Sequence, residues 1–481
     1  MSQSIQTINK DVLKVGLTSI TEKYIKKIEL NLLTFWAING LASIDPDIIA
    51  ELDKNGLTLY FNGEKIKSWQ IEPNARPNSF EMVTDAVNIA LEYSEEIRAA
   101  DTEEIYEAIF TNVLPHLDKF SRYAGAKEAA KLRSKREGSV GIGIEFKIDK
   151  NFMVITRIEP NSPAQESNLQ IGNKISHING ILIEGLTYNE IANQLSGPIM
   201  TDVTFEILRD LPVEPLIVQV TRSRITPISV MEKHQDGILY FKILNFNHNT
   251  ANSLSVKMSS AINSLPSLKK GIIIDLRGNP GGLLKQSVKV ADIFLNSGEI
   301  VSTSGRHPES FNKYSATAGD FISDLPVIVL INGQSASAAE ILAAALQDHN
   351  RAVIVGSSSF GKGTVQTVVR LPNEGELILT WSEFISPSGY QINGQGVLPL
   401  ICTNGVDLDE ISLIKSIIRG KDKINNAFKF WRAANENETE KMDLKTVCPP
   451  NKNSSNYDIE VAEQLLKTPK HYKNTLSIIS P

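Results

Sequence analysis

The chain is poor in cysteine: Cys402 and Cys448 are the only two in 481 residues. Two cysteines cannot make a disulfide framework, and their spacing is wrong for zinc, so no metal is expected. They leave two readings open, a pair of buried free thiols or one disulfide. A bridge would suit a protein working outside the cytoplasm, and we expect it because the pair flanks one segment near the C-terminal end. No apolar run approaches the roughly 20 residues of a membrane span. The opening MSQSIQTINKDVLKVGL has neither the basic nor the apolar region of a signal peptide. The expectation is a cytosolic chain or a form without its export signal. Excess basic charge is missing too. With 49 Lys+Arg against 55 Asp+Glu the net charge is −6, which gives no reason to expect nucleic acid.

What is present divides the chain by pattern. Length alone predicts two to four domains. Residues 1–137 look mostly helical: Val12, Leu17, Ile20, Tyr24, Ile28 and Leu32 recur at helical spacing. Helical patterning returns over Phe80–Arg98 and Thr102–Leu114, after a hairpin signal at Asn62-Gly63. The basic run Lys127–Arg136 reads as a solvated helix face leading into a linker. Residues 138–222 carry short alternating strands with NSP, IGN and NG turns, and one short helix, Tyr188–Leu195. Residues 223–402 alternate strands (Gly237–Leu244, Gly271–Leu276, Val327–Ile331, Ala352–Val355) with helices (Thr250–Leu265, Leu283–Phe294, Ala338–Asp348). That is the α/β pattern of a mixed or parallel sheet with helices outside. Residues 403–481 read as a polar appendage with two helices.

Chemistry concentrates between Pro326 and Gln366. An apolar strand meets a turn at Asn332-Gly333, and a small-residue segment holding Ser337 opens an Ala/Leu-rich helix. Ser337-Ala-Ala-Glu340 is a good capping box, which explains the serine and glutamate but not Lys362 in a loop of glycines. Gly356 to Thr364 is close to a phosphate-binding loop. Such a loop needs a helix after it, and TVQTVVRLP reads as a strand, so a nucleotide-binding function is disfavoured. A Ser-His-Asp arrangement fails on distance, because eleven helical residues put Asp348 about 16 Å from Ser337. The remaining histidines show no motif. A serine–lysine hydrolase fits better. The hydroxyl needs a neighbouring base, and lysine serves when burial holds it neutral. The oxyanion would be held by the Ala338 N–H and by the glycine-rich RGNPGG turn, Arg277–Gly282.

Two resemblances follow from these residues. VGIGIEF (Val140–Phe146) with NSPAQESNLQIGNKISHINGILI (Asn161–Ile183) resembles a PDZ domain. It implies a groove in which a peptide adds as a strand, its terminal carboxylate bound by Gly141, Ile142, Gly143 and Ile144. Residues 138 to about 400 resemble the C-terminal processing (tail-specific) proteases, PDZ-containing serine peptidases of the S41 group. The matching pieces are the PDZ segment, GILYFKILNFNHNTA, IDLRGNPGG, NGQSASAAEILAAALQD, VGSSSFGKGTVQT and SPSGYQINGQGVLP; HLDKFSRY (His116–Tyr123) belongs with them. The resemblance implies a multidomain α/β protein with a crotonase/ClpP-like mixed-sheet core, helices outside, an inserted PDZ domain and a helical N-terminal region.

It also implies roles. Ser337 is the nucleophile, Lys362 its general base, Gln366 a third member, and Ala338 with Gly281 the oxyanion donors. Gln366 can reach Lys362 only if the chain coils there, since residues four apart in a strand are ~13 Å apart. Phe384-Ile385-Ser386 departs from the group's usual pattern. No cofactor is implied. The implied partners are the C-terminal tails of substrate proteins, the setting is the periplasm, cell envelope or plastid lumen, and a homo-oligomer through the outer helices is expected. A catalytically silent peptide-binding scaffold and an acyl-CoA-type enzyme are the alternatives. The intact Ser337, Lys362 and Gln366 argue against the first, and the PDZ segment against the second.

Overall fold

The structure is a computed structural model that describes residues 10–479 apart from 55, 71–78, 161, 209–213, 265–269, 318, 320, 321, 323, 324 and 434–443. The N-terminal region packs helices Lys10–Lys23, Leu30–Asn39, Ser79–Tyr93 and Thr102–Val113 around a three-stranded sheet. The helical pattern from Val12 to Leu32 is two helices rather than one. After Lys23 the chain leaves the helix, and the Ile25 N–H donates to Thr380 O at 2.9 Å instead of to its own turn. The hairpin turns at Asn62 (φ 52°) and Gly63 (φ 79°), the paired positive φ values that a two-residue turn between twisted strands requires. The core of this region includes Leu13, Leu17 and Phe110, and it continues into Leu377 and Leu379 of the strand Glu376–Ile385 and Leu371 just before it. The region is therefore packed onto the rest of the chain.

The second module is a sheet ordered by its strands Leu216–Thr221, Asp202–Ile207, Lys174–Ile178, Phe152–Ile158 and Ile144–Asp149. Its helix, Tyr188–Leu195, starts at a capping box between Thr187 and Glu190. The basic run before it is the helix Ala126–Glu137, and it is not merely solvated. Arg133 and Arg136 reach the carboxylate of Glu376 at 3.0 and 2.9 Å, where Glu376 is only 2% exposed.

The largest unit is a six-stranded sheet in the order Val230–Gln235, Ile238–Ile243, Gly271–Asp275, Val327–Ile331, Ala352–Gly356 and Ile401–Cys402. All pairs are parallel except the first. Three of these strands, Gly271–Asp275, Val327–Ile331 and Ala352–Gly356, are buried at every residue, because helices cover both faces. Each large aliphatic side chain so buried contributes roughly 1.5–3 kcal/mol. The parallel strands end together, and their C-terminal loops bring Arg277–Gly282, Asn332–Ser337 and residues 357–363 to one edge. A second sheet holds Glu299–Ser304, Thr364–Arg370 and Glu376–Ile385, and the short strand Arg122–Ala124 pairs with the last of these.

The tail is not an appendage. Phe428, Trp431, Val461, Leu465, Leu466, Tyr472 and Ile479 are buried in the same cluster as the central sheet. A disulfide joins Cys402 to Cys448, 46 residues apart. Closing a loop of that length adds about 4 kcal/mol in the chain-entropy account. Just beyond the bridge, Asn451 O accepts the Gly333 N–H at 2.7 Å and the Asn451 N–H donates to Ser357 Oγ at 3.0 Å. The tail thus straps the two loops that carry the candidate chemistry.

Candidate active site

Asn332 opens the turn between the strand Val327–Ile331 and the helix Ala338–Asp348. Its N–H donates to Ser335 Oγ at 3.0 Å, and its Oδ1 accepts from Gly278 and Gln334 N–H groups at 3.0 and 3.1 Å. Ser335 Oγ donates to Leu276 O at 2.8 Å, and the Ala336 N–H to Asn279 O at 2.9 Å. These bonds stitch the turn to the RGNPGG loop of the neighbouring strand. Ser337 follows with φ 55° and ψ −115°. Such a conformation costs a non-glycine residue about 1–3 kcal/mol and is the strained strand-to-helix turn that presents a nucleophile. An ordinary cap is extended instead. The capping box does form, with Glu340 reaching back to the Ser337 N–H at 2.8 Å, but capping alone does not account for the strained backbone.

Gly281 lies against this turn. A Cβ there would fall 2.8 Å from Ser337 Cβ and 3.0 Å from Ala338 N, and its φ is 97°. Only glycine fits. Among the described residues the Ala338 N–H donates to no backbone carbonyl, as expected of a first helical residue. The Gly281 N–H is engaged, donating to Asn279 Oδ1 at 2.8 Å. The loop is where the sequence put it, but in this state its second expected donor is turned to its own side chain.

Lys362 comes from the loop before the strand Thr364–Arg370, whose extended backbone rules out the helix that a phosphate-binding loop needs. Its Nζ lies 5.1 Å from the centroid of the Phe120 ring. Burial first, and Arg122 second, push its pKa below the ordinary lysine value, against the upward pull of Glu340 and Asp118. Phe120 is a site residue that the sequence reading did not single out, although HLDKFSRY was the signal. The strand Arg122–Ala124 pairs with Glu376–Ile385, which pairs with Thr364–Arg370, so the motif arrives beside the lysine. Asp118 Oδ1 then fixes the turn by accepting from the Phe120 and Ser121 N–H groups at 2.7 and 2.8 Å.

Gln366 is not brought to Lys362. It lies within the extended strand, and its amide donates to Thr364 Oγ1 at 2.8 Å and Thr380 Oγ1 at 3.5 Å. The coil required for a lysine contact does not form, because residues 364–370 pair with Glu376–Ile385. Asp348 is likewise elsewhere, bonded to Arg432 and the Ser388 N–H at 2.8 and 3.0 Å.

In the second module, Gly141, Ile142, Gly143 and Ile144 line a cavity of about 300 Å³ with Phe146, Tyr188, Leu195 and Ile225. Ile142 and Gly143 accept bonds through their carbonyls, while among the described residues their N–H groups have no backbone acceptor. Phe146 and Tyr188 stack at 4.5 Å.

Two family models match the chain, that of peptidase family S41 over residues 237–402 and that of the PDZ domain over residues 130–208. Together they define the class, a serine-type peptidase that carries a PDZ domain. A carboxy-terminal-processing protease of Bartonella bacilliformis is 39% identical over 301 residues, 62% of this chain and 69% of that protein. A CtpA-like serine protease of Staphylococcus aureus is 30% identical over 346 residues, 70% of this chain and 67% of that protein. A solved photosystem II D1 C-terminal processing protease aligns with a TM-score of 0.38 and 25% identity, covering 77% of this chain and 92% of that one. The chain belongs to the carboxy-terminal-processing proteases of peptidase family S41.

Proposed function

We propose that this peptidase takes the C-terminal tail of a protein into its PDZ groove and cuts it through an acyl-enzyme on Ser337, with Lys362 as general base. The observation that carries the reading is Ser337 itself, strained at a helix N-terminus. A lysine whose burial favours its neutral form is tied to the same turn through Glu340. Neutral Lys362 accepts the Ser337 proton as Oγ attacks the peptide carbonyl, then returns it to the leaving amine. Water, activated by the again-neutral Lys362 amine, then releases the acyl group. The oxyanion takes the Ala338 N–H and, once freed from Asn279, the Gly281 N–H. Gln366 serves indirectly, by holding Thr364 next to the base loop. The disulfide supports an oxidising place of work such as the cell envelope.

A fluorophosphonate probe should label one serine, and peptide mass mapping should place it at Ser337. An unlabelled protein, or label elsewhere, sinks the nucleophile assignment and favours the silent scaffold. Tail selection has its own test. The Ile142 and Gly143 N–H groups recognise a carboxylate, and charge-assisted hydrogen bonds of this kind contribute roughly 1.5–3 kcal/mol. Amidating the C-terminus of an unfolded substrate should therefore raise KM about ten- to a hundredfold. Equal cleavage of free and amidated substrates would show that the groove does not read the terminus.

A further inference from the structure

Glu340 is fully buried, yet it is bonded to far more than its own helix. Oε1 accepts from Ser359 Oγ at 2.5 Å and from the Gly361 N–H at 2.6 Å. Oε2 accepts from the Ser337 N–H at 2.8 Å and the Lys362 N–H at 2.9 Å. One carboxylate thus grips the nucleophile turn with one oxygen and the base loop with both. A helix cap would need only the donor from Ser337.

We propose that Glu340 is a positioning residue for peptide-bond cleavage: an ionised carboxylate, sealed from water, that holds Ser337 and Lys362 in one frame and sets the basicity of the lysine. The proposal rests on the assignment of those two residues above.

The donor set favours the ionised carboxylate. Three donors are backbone N–H groups, which cannot accept a proton. The fourth, Ser359 Oγ, accepts the Val397 N–H at 2.7 Å and donates its own proton to Oε1. A protonated Glu340 would have to give up one of these four hydrogen bonds or reverse the one from Ser359. Burial is the larger effect and leaves the carboxyl's pKa above its ordinary value, with the four hydrogen bonds pulling it back down. Lys362 and Lys445 both feel the carboxylate, which draws each toward its charged form against the larger, opposite effect of burial. Buried Tyr390 also feels the carboxylate. Lys362 is otherwise faced by Arg122 and Asp118. Packing closes the site, since a Cβ on Gly396 would fall 3.1 Å from Oε1.

Two consequences follow. The bond to the Ser337 N–H restrains a residue that would otherwise relax toward an allowed conformation. The negative charge favours the ammonium form of Lys362, so removing it should lower the lysine pKa and extend activity to lower pH. A structural prop would weaken the enzyme without moving its pH dependence.

The test is the pH profile of kcat/KM for wild type, Glu340→Gln, Glu340→Asp and Lys362→Ala, with folding followed by thermal melting. Glu340→Gln should lose about 10²-fold in rate, the scale of a small misplacement of reacting groups, and its acid limb should move to lower pH. Glu340→Asp keeps the charge on a shorter arm, so its limb should stay while kcat falls. A Glu340→Gln limb that does not move overturns the proposal. If Glu340→Gln does not fold, Glu340→Asp with kcat within about twofold of wild type overturns it, because a carboxylate one methylene short cannot keep all four donors. Full activity in Lys362→Ala refutes the base assignment instead, independently of Glu340.

Discussion

Lys362→Arg should reduce cleavage by about 10⁴-fold or more while leaving the fold and peptide binding in place. Loss of one member of a nucleophile–base unit removes nearly the whole unit's contribution. Arginine keeps the charge and much of the apolar stem, but a guanidinium does not deprotonate near neutrality. In wild type, burial and Arg122 shift the lysine pKa downward. Its neutral fraction therefore grows as pH rises through a value below that of a free lysine, and kcat/KM should climb with it. The measurement is kcat/KM on one unfolded substrate, with peptide affinity for the groove as the control. Activity within tenfold of wild type would remove lysine from the mechanism.

Arg277→Met should destabilise the peptidase core by about 3–5 kcal/mol, the cost of stranding a buried charge by removing its partner. Arg277 donates to Asp275 through Nε and Nη2 at 2.9 and 2.8 Å, and through Nη1 to Asp458 at 2.8 Å and Ser455 O at 2.5 Å. All three charged side chains are less than a tenth exposed, so solvent screens little of this. Tyr240 completes the network with a hydroxyl bond to Asp275. The substitution leaves two carboxylates without their cation and loosens the C-terminal helix Asn456–Lys467 from the loop that carries Gly281. At about 2–4 °C per kcal/mol for a unit of this size, Tm should fall by roughly 10 °C. A loss under about 1 kcal/mol in denaturant melts would show the network to be incidental. Replacing Asp275 together with Arg277 should cost less than the single change, because fewer buried charges are left unpaired.

Much of this protein is written locally. Val327–Ile331 and the helix Ala338–Asp348 have the bounds their residues suggest, as do Lys174–Ile178 and Tyr188–Leu195. Strand, turn and helix signals act over a few residues, and so does the rule that a sheet covered on both faces needs unbroken apolar runs. The S41 and PDZ membership was equally readable, because several motifs kept their order and spacing.

Other features depend on partners far along the chain. The pattern from Val12 to Leu32 is helical throughout, yet the chain breaks where Ile25 finds Thr380. The basic helix Ala126–Glu137 looked solvated until Glu376 came to lie against it. The polar tail hid its burial because its apolar residues are spread among charged ones; they are collected only when the helices stack on the sheet. Gln366 had the right composition for a role beside Lys362, and only the strand pairing of residues 364–370 directed its amide to Thr364.

Most of the elements, the peptidase class and the candidates Ser337 and Lys362 can be read from neighbouring positions alone. Periodicity, turn residues and motif spacing are properties of neighbouring positions. Tertiary structure alone decided what surrounds those two: the Phe120 ring over the lysine, the Gly281 backbone against the serine, and one buried carboxylate holding four donors. Those contacts join residues as far apart as 120 and 362. Their energies come from burial and charge in a shared interior, which no short stretch of chain contains.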